Sequence, residues 1–157
     1  MSRETAVSAI AAGLCMAGEL KEKGYRLIAT GEMGIGNTTT SSAVAAMLLG
    51  RDPAEMTGRG AGLSDEGLRK KVSVIREAVK RYEAQCRDAI DVIACVGGLD
   101  LAGLTGVFLG GAVYRIPVLI DGFISGTAAL AAAKLAPSAC DYMLATHVSA
   151  EPAGKMI

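Results

Sequence analysis

The apolar positions of the chain change their spacing along its length, and they predict helices separated by short strands. Residues 5–23 carry apolar side chains three and four positions apart, which predicts an amphipathic helix that ends at Gly24. The short apolar run at 26–30 predicts a strand. The segment at 38–49 carries no charged residue, which predicts a helix that is buried on most of its faces.

The rest of the chain continues this alternation of helices and strands. Residues 116–120 are all apolar, which is typical of a strand buried in a parallel sheet. Strands separated by helices predict one α/β domain over residues 1–157, with a parallel sheet covered by helices on both faces. The other elements predicted after residue 50 are a short helix from Asp52-Pro53, a long helix from Ser64 to about Tyr82, a glycine-rich helix at 99–113, a helix at 123–136 and a strand at 141–146.

The segment between the first predicted strand and the next helix carries three glycines within six residues, Gly31, Gly34 and Gly36. Glycine allows a positive φ and lets a ligand approach the main chain, and Asn37 or Thr38 can cap the following helix. A helix start with exposed amides, and with no cationic side chain in the loop, is suited to a phosphate. The alternative is an ordinary turn whose glycines serve only packing. The spacing alone leaves both interpretations open.

Two familiar phosphate-binding fingerprints are not matched by this loop. The Walker A loop requires a lysine where the chain has Asn37, which argues against a kinase of that type. The dinucleotide fingerprint requires a third glycine where the chain has Thr39. The loop therefore belongs to neither class.

Lys70 and Lys71 follow a second glycine-rich loop, Gly58-Arg59-Gly60-Ala61-Gly62, and lie within two turns of the start of the long helix. One lysine can turn back over this loop while the other faces solvent. The spacing alone favours a solvated Lys71, because most lysines are exposed.

Two polar residues follow predicted strands at the edge of the sheet where ligands bind in open α/β folds. Asp121 comes after the 116–120 strand, and it either contacts a ligand or caps the next helix. His147 is the only histidine and follows the last predicted strand. A histidine at such a position is typical of a hydrogen-bonded structural group, and no catalytic triad accompanies it in the sequence.

Composition and charge exclude several classes of function. The 16 basic and 16 acidic residues give a net charge of zero, so neither a nucleic-acid partner nor an anionic membrane surface is predicted. No apolar run reaches the roughly 18 residues of a membrane span, and the charged start lacks the apolar core of a signal peptide. A cytoplasmic protein is therefore expected. Four scattered cysteines and one histidine predict no zinc site.

Five blocks that cover nearly the whole chain carry a family resemblance. The blocks are Gly31–Thr39, Gly58–Leu68 with Lys71, Val96–Gly106, Pro117–Ser125 and His147–Glu151. In this order they resemble the nicotinate-nucleotide:dimethylbenzimidazole phosphoribosyltransferases, which make the lower-ligand nucleotide of cobalamin. The resemblance implies a Rossmann-like three-layer sandwich without cofactor or metal. It also implies a homodimer. The glycines of the helix at 99–113 predict close packing either against the sheet or against a neighbouring subunit.

The family's reaction transfers phosphoribose from nicotinate mononucleotide to 5,6-dimethylbenzimidazole, giving α-ribazole 5′-phosphate and nicotinate. The resemblance implies that Glu32 stabilises positive charge on the ribose ring, as a carboxylate near an oxocarbenium-like centre does. It also implies that Lys71 contacts the substrate rather than solvent. The residues assigned to substrate and phosphate binding are Gly34, Ile35, Gly36, Asn37, Thr38, Thr39, Gly60, Ala61, Lys71, Asp121 and Ser149.

The chain departs from the family pattern at both ends. The family's earlier half, which supplies much of the benzimidazole pocket, is not represented in this sequence. The general-base glutamate that follows the Ser-Ala-Glu block lies beyond Ile157. We therefore expect the isolated chain to bind nucleotide weakly and to turn over negligibly. The alternative function is a non-catalytic module that binds a nucleotide or a phosphate.

Overall fold

The computed structural model describes all residues from 1 to 157 and contains seven α-helices and three strands. None of the helices combines the length and the hydropathy that a membrane span requires. Three short 3-10 turns lie at Glu83–Gln85, Pro137–Tyr142 and Pro152–Lys155. The helices and strands in chain order are α1 (Arg3–Glu22), β1 (Ile28–Ala29), α2 (Asn37–Leu49), α3 (Pro53–Met56), α4 (Asp65–Tyr82), α5 (Ala89–Val96), α6 (Leu99–Tyr114), β2 (Val118–Ile120), α7 (Phe123–Leu135) and β3 (Met143–Ala145).

The three strands form one parallel sheet in the order β1-β2-β3. Val118 is paired with Ile28 on one side and with Met143 on the other, so the carboxyl ends of all three strands meet at one edge. Helices α6 and α7 pack against the central strand. The predicted α/β class, with a parallel sheet and helices covering it, is confirmed. Each strand is shorter than its apolar run in the sequence.

Helix α2 is buried from Ser41 to Ala46, as its lack of charged residues predicts. Its side chains join the main hydrophobic core with residues of the sheet, α4 and α7. Because the helix is packed in this way, its N-terminus is held at the carboxyl edge of the sheet. The first glycine-rich loop connects β1 to this N-terminus.

Helix α5 was not predicted, because the apolar segment after Asp88 has no clear period. Eight mostly apolar residues can form either a buried strand or a buried helix, and periodicity does not separate the two. The structure shows that the Asp88 side chain accepts a hydrogen bond from the Asp91 N–H and caps the helix. This local cap selects the helix over the strand.

The glycines of α6 bring its backbone into direct contact with α1. A methyl group placed on Gly106 would overlap the carbonyl oxygen of Ile10 and lie 2.9 Å from the backbone nitrogen of Leu14. A methyl group on Gly110 would lie 2.6 Å from the Cβ of Ala17. These two glycines therefore face α1. The predicted close packing of these glycines is thus found within the chain, against α1 instead of the sheet, and the contact of this helix with a neighbouring subunit stays a prediction.

Candidate functional site

The first glycine-rich loop turns the chain sharply from β1 into α2. Gly34 has a φ of 77° and Gly36 a φ of 80°, both in the left-handed region that side chains disfavour. Before the loop, the Thr30 hydroxyl donates to the Leu119 carbonyl oxygen at 2.7 Å and so fixes the end of β1 against β2. The predicted order of strand, loop and helix is confirmed.

The start of α2 has no side-chain cap. The N-cap residue is Gly36, and the first turn holds no acidic residue. The prediction that Asn37 or Thr38 caps the helix is wrong, because the helix begins at Asn37 and both side chains bond elsewhere. Unsatisfied N–H groups and the positive end of the helix dipole make such a start a good place for an anion.

Asn37 bridges two carboxylates instead of capping the helix. Its Nδ2 donates to Glu32 Oε2 and to Asp100 Oδ2, each at 2.9 Å. Glu32 also accepts a short hydrogen bond from the Gly34 N–H. One amide that the sequence assigns to phosphate is therefore bonded to Glu32 here. Asp100 was missed in the sequence, although it lies in the first turn of α6 and within the Val96–Gly106 block.

The second glycine-rich loop lies against the start of α2. Gly60 has a φ of 53°, and a methyl group on it would lie 3.0 Å from Thr38 Oγ1. Ala61 is exposed, and Gly62 has a φ of 102°. The Arg59 guanidinium bonds to Asp65 on the exposed side of the loop. The two glycine-rich loops thus meet at Thr38.

Lys71 reaches back from α4 and joins the two loops. Its Nζ donates to Thr38 Oγ1 at 3.0 Å and to the Gly58 carbonyl oxygen at 3.1 Å, and the residue is only 8% exposed. Lys70 is exposed. The interpretation of Lys71 as a solvated lysine is therefore wrong. Burial lowers the pKa of Lys71, and the charge of Glu151 opposes that shift.

Ile35 and Thr39, the remaining predicted phosphate-binding residues, can each offer only main-chain atoms to a phosphate. Ile35 is 83% exposed, so only its main chain can take part in a phosphate cradle. Thr39 is half-buried and lines a small cavity with Val74 and Ile75 of α4. Its side chain therefore lies away from the loops, and only its amide remains available at the start of the helix.

A cavity of about 590 Å³ lies beyond the carboxyl ends of β2 and β3. Asp121, His147 and Ser149 all line it. Asp121 is exposed and does not cap α7, whose N-cap is Gly122 without a side-chain hydrogen bond. The helix-cap interpretation of Asp121 is therefore wrong. His147 Nδ1 is hydrogen-bonded to the Thr146 hydroxyl at 2.9 Å, which agrees with the structural role predicted for it.

One chain segment links this cavity to the two loops. The Glu151 N–H donates to Ser149 Oγ at 3.3 Å, and the Gly60 N–H donates to Glu151 Oε1 at 3.2 Å. The structure therefore brings together Thr38, Gly60 and Lys71 by direct contact and connects Ser149 to them through Glu151. Asp121 lines the same cavity as Ser149 but makes no hydrogen bond to either loop.

An apolar groove of about 490 Å³ opens on the other side of Glu32. Its lining includes Met16 of α1, Leu99 and Leu104 of α6, and the two carboxylate residues Glu32 and Asp100. A flat apolar group placed there would have carboxylate oxygens at one end.

The family model that matches this chain describes a phosphoribosyltransferase and covers residues 1–157. The nicotinate-nucleotide–dimethylbenzimidazole phosphoribosyltransferases of Ruminiclostridium cellulolyticum and Acetivibrio thermocellus are 55% and 50% identical to it. Each alignment covers 100% of this chain and 45% of the relative. The chain thus spans less than half the length of these curated relatives.

A solved structure gives the same picture in three dimensions. The crystal structure of CobT from Thermus thermophilus matches with a TM-score of 0.90 at 38% sequence identity. The match covers 99% of this chain and 46% of the CobT chain. The family model, the relatives and this structure agree with the resemblance drawn from the five sequence blocks. The chain belongs to the phosphoribosyltransferase family.

Proposed function

We propose that this chain carries the nucleotide-binding part of an enzyme that transfers phosphoribose from nicotinate mononucleotide to 5,6-dimethylbenzimidazole. The products are α-ribazole 5′-phosphate and nicotinate, and the pathway is cobalamin biosynthesis. The observation that carries the proposal is the buried ammonium group of Lys71, which joins both glycine loops at the uncapped start of α2. The names of the relatives supply the identity of the two substrates.

The 5′-phosphate binds at the start of α2. Amides from Gly34 to Thr39 and the amide of Ala61 donate hydrogen bonds to its oxygens, and Lys71 supplies a positive charge beside them. The Gly60 N–H stays bonded to Glu151, so Gly60 contributes its backbone conformation and not its amide. A charge-assisted hydrogen bond of this kind is roughly twice as strong as one between neutral groups. The ribose extends toward the cavity at the ends of β2 and β3, where Asp121 and Ser149 face its hydroxyl groups.

Glu32 acts at the carbon of the ribose where one bond breaks and the new bond forms. The bond between this carbon and the pyridinium nitrogen breaks, its electron pair stays with nicotinate, and a benzimidazole nitrogen forms the new bond. Positive charge grows on the ribose as the old bond breaks, and the Glu32 carboxylate stabilises it. In the structure this carboxylate accepts a hydrogen bond from the Gly34 N–H. When a phosphate takes over this N–H, Glu32 keeps only its hydrogen bond from Asn37 Nδ2.

The apolar groove beside Glu32 receives the dimethylbenzimidazole. Met16, Leu99 and Leu104 offer apolar surface to its ring, and the groove adjoins the carboxylate next to which the ribose reacts. The N–H proton of the benzimidazole passes to solvent water as the new bond forms, because we assign no residue of this chain to its removal.

The proposal also covers the domain organisation, the oligomeric state and the cellular location of the protein. Residues 1–157 form a single domain that acts as a homodimer in the cytoplasm. The homodimer follows from the family resemblance. Light scattering coupled to size exclusion measures the mass of the particle and so tests the dimer directly.

Formation of α-ribazole 5′-phosphate from both substrates tests the proposed function. A general base contributes about 10²- to 10⁴-fold to a rate, and we expect the isolated chain to fall short of the relatives by a similar factor. Product measured by mass spectrometry should still exceed that of a protein-free control. Glu32→Gln should lower this rate at least about tenfold, because it removes the charge that stabilises the ribose.

Glu66→Gln is the matched control for the Glu32 variant. Glu66 is an exposed carboxylate in the first turn of α4 with no hydrogen bond to either loop, so its removal should leave the rate unchanged. An equal rate for the wild type and Glu32→Gln would refute the role of Glu32. Phosphate-dependent binding without any product would favour the alternative, a non-catalytic nucleotide-binding module.

A further inference from the structure

Glu151 is the side chain beside the two glycine loops to which the proposed function gives no role. It immediately precedes the last 3-10 turn and is half-buried. Its Oε1 accepts a hydrogen bond from the Gly60 N–H at 3.2 Å, whereas its Oε2 is buried and has no hydrogen-bond partner. A buried carboxylate oxygen without a partner is unfavourable unless a nearby charge compensates for it.

Gly58 leaves the space that the Glu151 carboxylate fills. A methyl group on Gly58 would overlap Glu151 Oε2 and would lie 2.7 Å from Pro152 Cδ. The carbonyl oxygen of the same glycine accepts the hydrogen bond from Lys71 at 3.1 Å. Glu151 thus contacts the second glycine loop at Gly58 and at Gly60, and Lys71 lies on the same part of the loop.

We propose that Glu151 is a positioning residue for the phosphate site, which holds the Gly58–Gly60 loop in place and offsets the burial of the Lys71 ammonium group. The inference rests on the proposed function, because it concerns the same site. It explains why Glu151 tolerates an unpaired oxygen: the positive charge of Lys71 compensates for the negative charge across the loop.

The negative charge of Glu151 shifts the pKa of Lys71 in a defined direction. Burial lowers the pKa of Lys71, and Glu151 is the group whose charge raises it again. The other charged side chains of the elements around Lys71 lie on the loop, on α3, on α4 itself and on the last 3-10 turn, and they are Arg59, Glu55, Asp65, Glu66, Arg69, Lys70, Arg76, Glu77, Lys80, Arg81 and Lys155. Without the charge of Glu151, the pKa of Lys71 falls further. Lys71 then loses its proton at a lower pH, and affinity for a phosphate is lost at a lower pH.

Two measurements on the ligand-free protein test the inference. NMR titration of the Lys71 side chain gives its pKa, and hydrogen exchange of the Gly60 amide reports on its bond to Glu151. Glu151→Gln should lower the pKa of Lys71 but keep the exchange slow, since the amide oxygen can still accept. Glu151→Ala should lower the pKa and speed exchange by about three- to tenfold, the equivalent of one lost hydrogen bond.

Asp141→Asn is the matched control, because Asp141 is an exposed carboxylate just before β3 that has no hydrogen bond to the loops. It should change neither the pKa of Lys71 nor the exchange of Gly60. An unchanged pKa of Lys71 in Glu151→Gln overturns the inference, even if Glu151→Ala fails to fold.

Calorimetric binding of nicotinate mononucleotide across the pH range separates this inference from the proposed function. The alkaline loss of affinity should move to lower pH in Glu151→Gln, a shift that a purely structural role would not produce. If the wild type binds and the variant loses affinity at the same pH, the role of Glu151 is refuted. If the wild type does not bind, the proposed function fails, and the two ligand-free measurements still decide the role of Glu151.

Discussion

Replacing Lys71 with alanine is expected to weaken the binding of nicotinate mononucleotide by about 30-fold or more. The substitution removes a buried positive charge next to the proposed phosphate site, and loss of one partner of such a pair costs about 2–5 kcal/mol. It also removes the hydrogen bonds from Nζ to Thr38 and to the Gly58 carbonyl, which join the two glycine loops. Isothermal titration calorimetry at neutral pH measures the effect.

Lys70→Ala is the matched control for this substitution. Lys70 precedes Lys71 on the same helix, is exposed and makes no hydrogen bond or ion pair. Its loss should leave the affinity nearly unchanged. Lys71→Met keeps an unbranched apolar stem but removes the ammonium group with its charge and its two hydrogen bonds, so it should resemble Lys71→Ala. Equal affinity of Lys71→Met and the wild type would show that the charge of Lys71 does not contact the phosphate.

Replacing Gly106 with alanine is expected to lower the free energy of unfolding by about 3 kcal/mol or more, at the upper end of what overpacking costs. The new methyl group would overlap the carbonyl oxygen of Ile10, and a backbone atom cannot move aside as a flexible side chain does. Helices α1 and α6 must therefore separate along their whole contact. Urea unfolding followed by circular dichroism measures the change.

Gly103→Ala, on the same helix, is expected to raise the free energy of unfolding instead of lowering it. A methyl group on Gly103 meets nothing within 4 Å, so alanine should only stiffen the unfolded chain and favour the helix. We expect the free energy of unfolding to rise by about 0.5–1 kcal/mol. Similar stability changes for Gly103→Ala and Gly106→Ala would contradict the close backbone contact between α1 and α6.

The helices of this fold could be predicted from the sequence because their signals are local. Residues 5–23 and 38–49 were predicted as helices, and the structure has them at Arg3–Glu22 and Asn37–Leu49. The spacing of apolar residues and the glycine stops lie within each segment. Helix α5 escaped prediction because a short apolar segment has no such period, and only the cap from Asp88 distinguishes it.

The contacts within the candidate site could not be predicted from local spacing, because its partners are distant in sequence. Lys71 bonds to a hydroxyl 33 residues away, and Glu151 bonds to an amide 91 residues away. Local spacing accordingly favoured a solvated lysine, whereas the family resemblance pointed to the contact with substrate. Asp100 and Glu151 both lie in blocks that carry the resemblance, but no local pattern distinguished them from ordinary surface acids.

The boundary of α2 explains the other error at the site. The helix begins at Asn37, one residue before the predicted start, and this shift leaves Gly36 as a cap residue without a side chain. Asn37 and Thr38 are then free to bond to Glu32, Asp100 and Lys71. A helix start left uncapped in this way is consistent with a site for an anion rather than with an ordinary turn.

The central claim is that the two glycine loops and Lys71 form a phosphate site. Calorimetric titration of the chain with nicotinate mononucleotide, with nicotinate riboside as the control without phosphate, tests it most directly. We predict heat of binding for the mononucleotide and at least about tenfold weaker binding of the riboside, because charge-assisted hydrogen bonds to the phosphate are lost. Equal affinity for both ligands, or no binding of either by the folded protein, would contradict the claim.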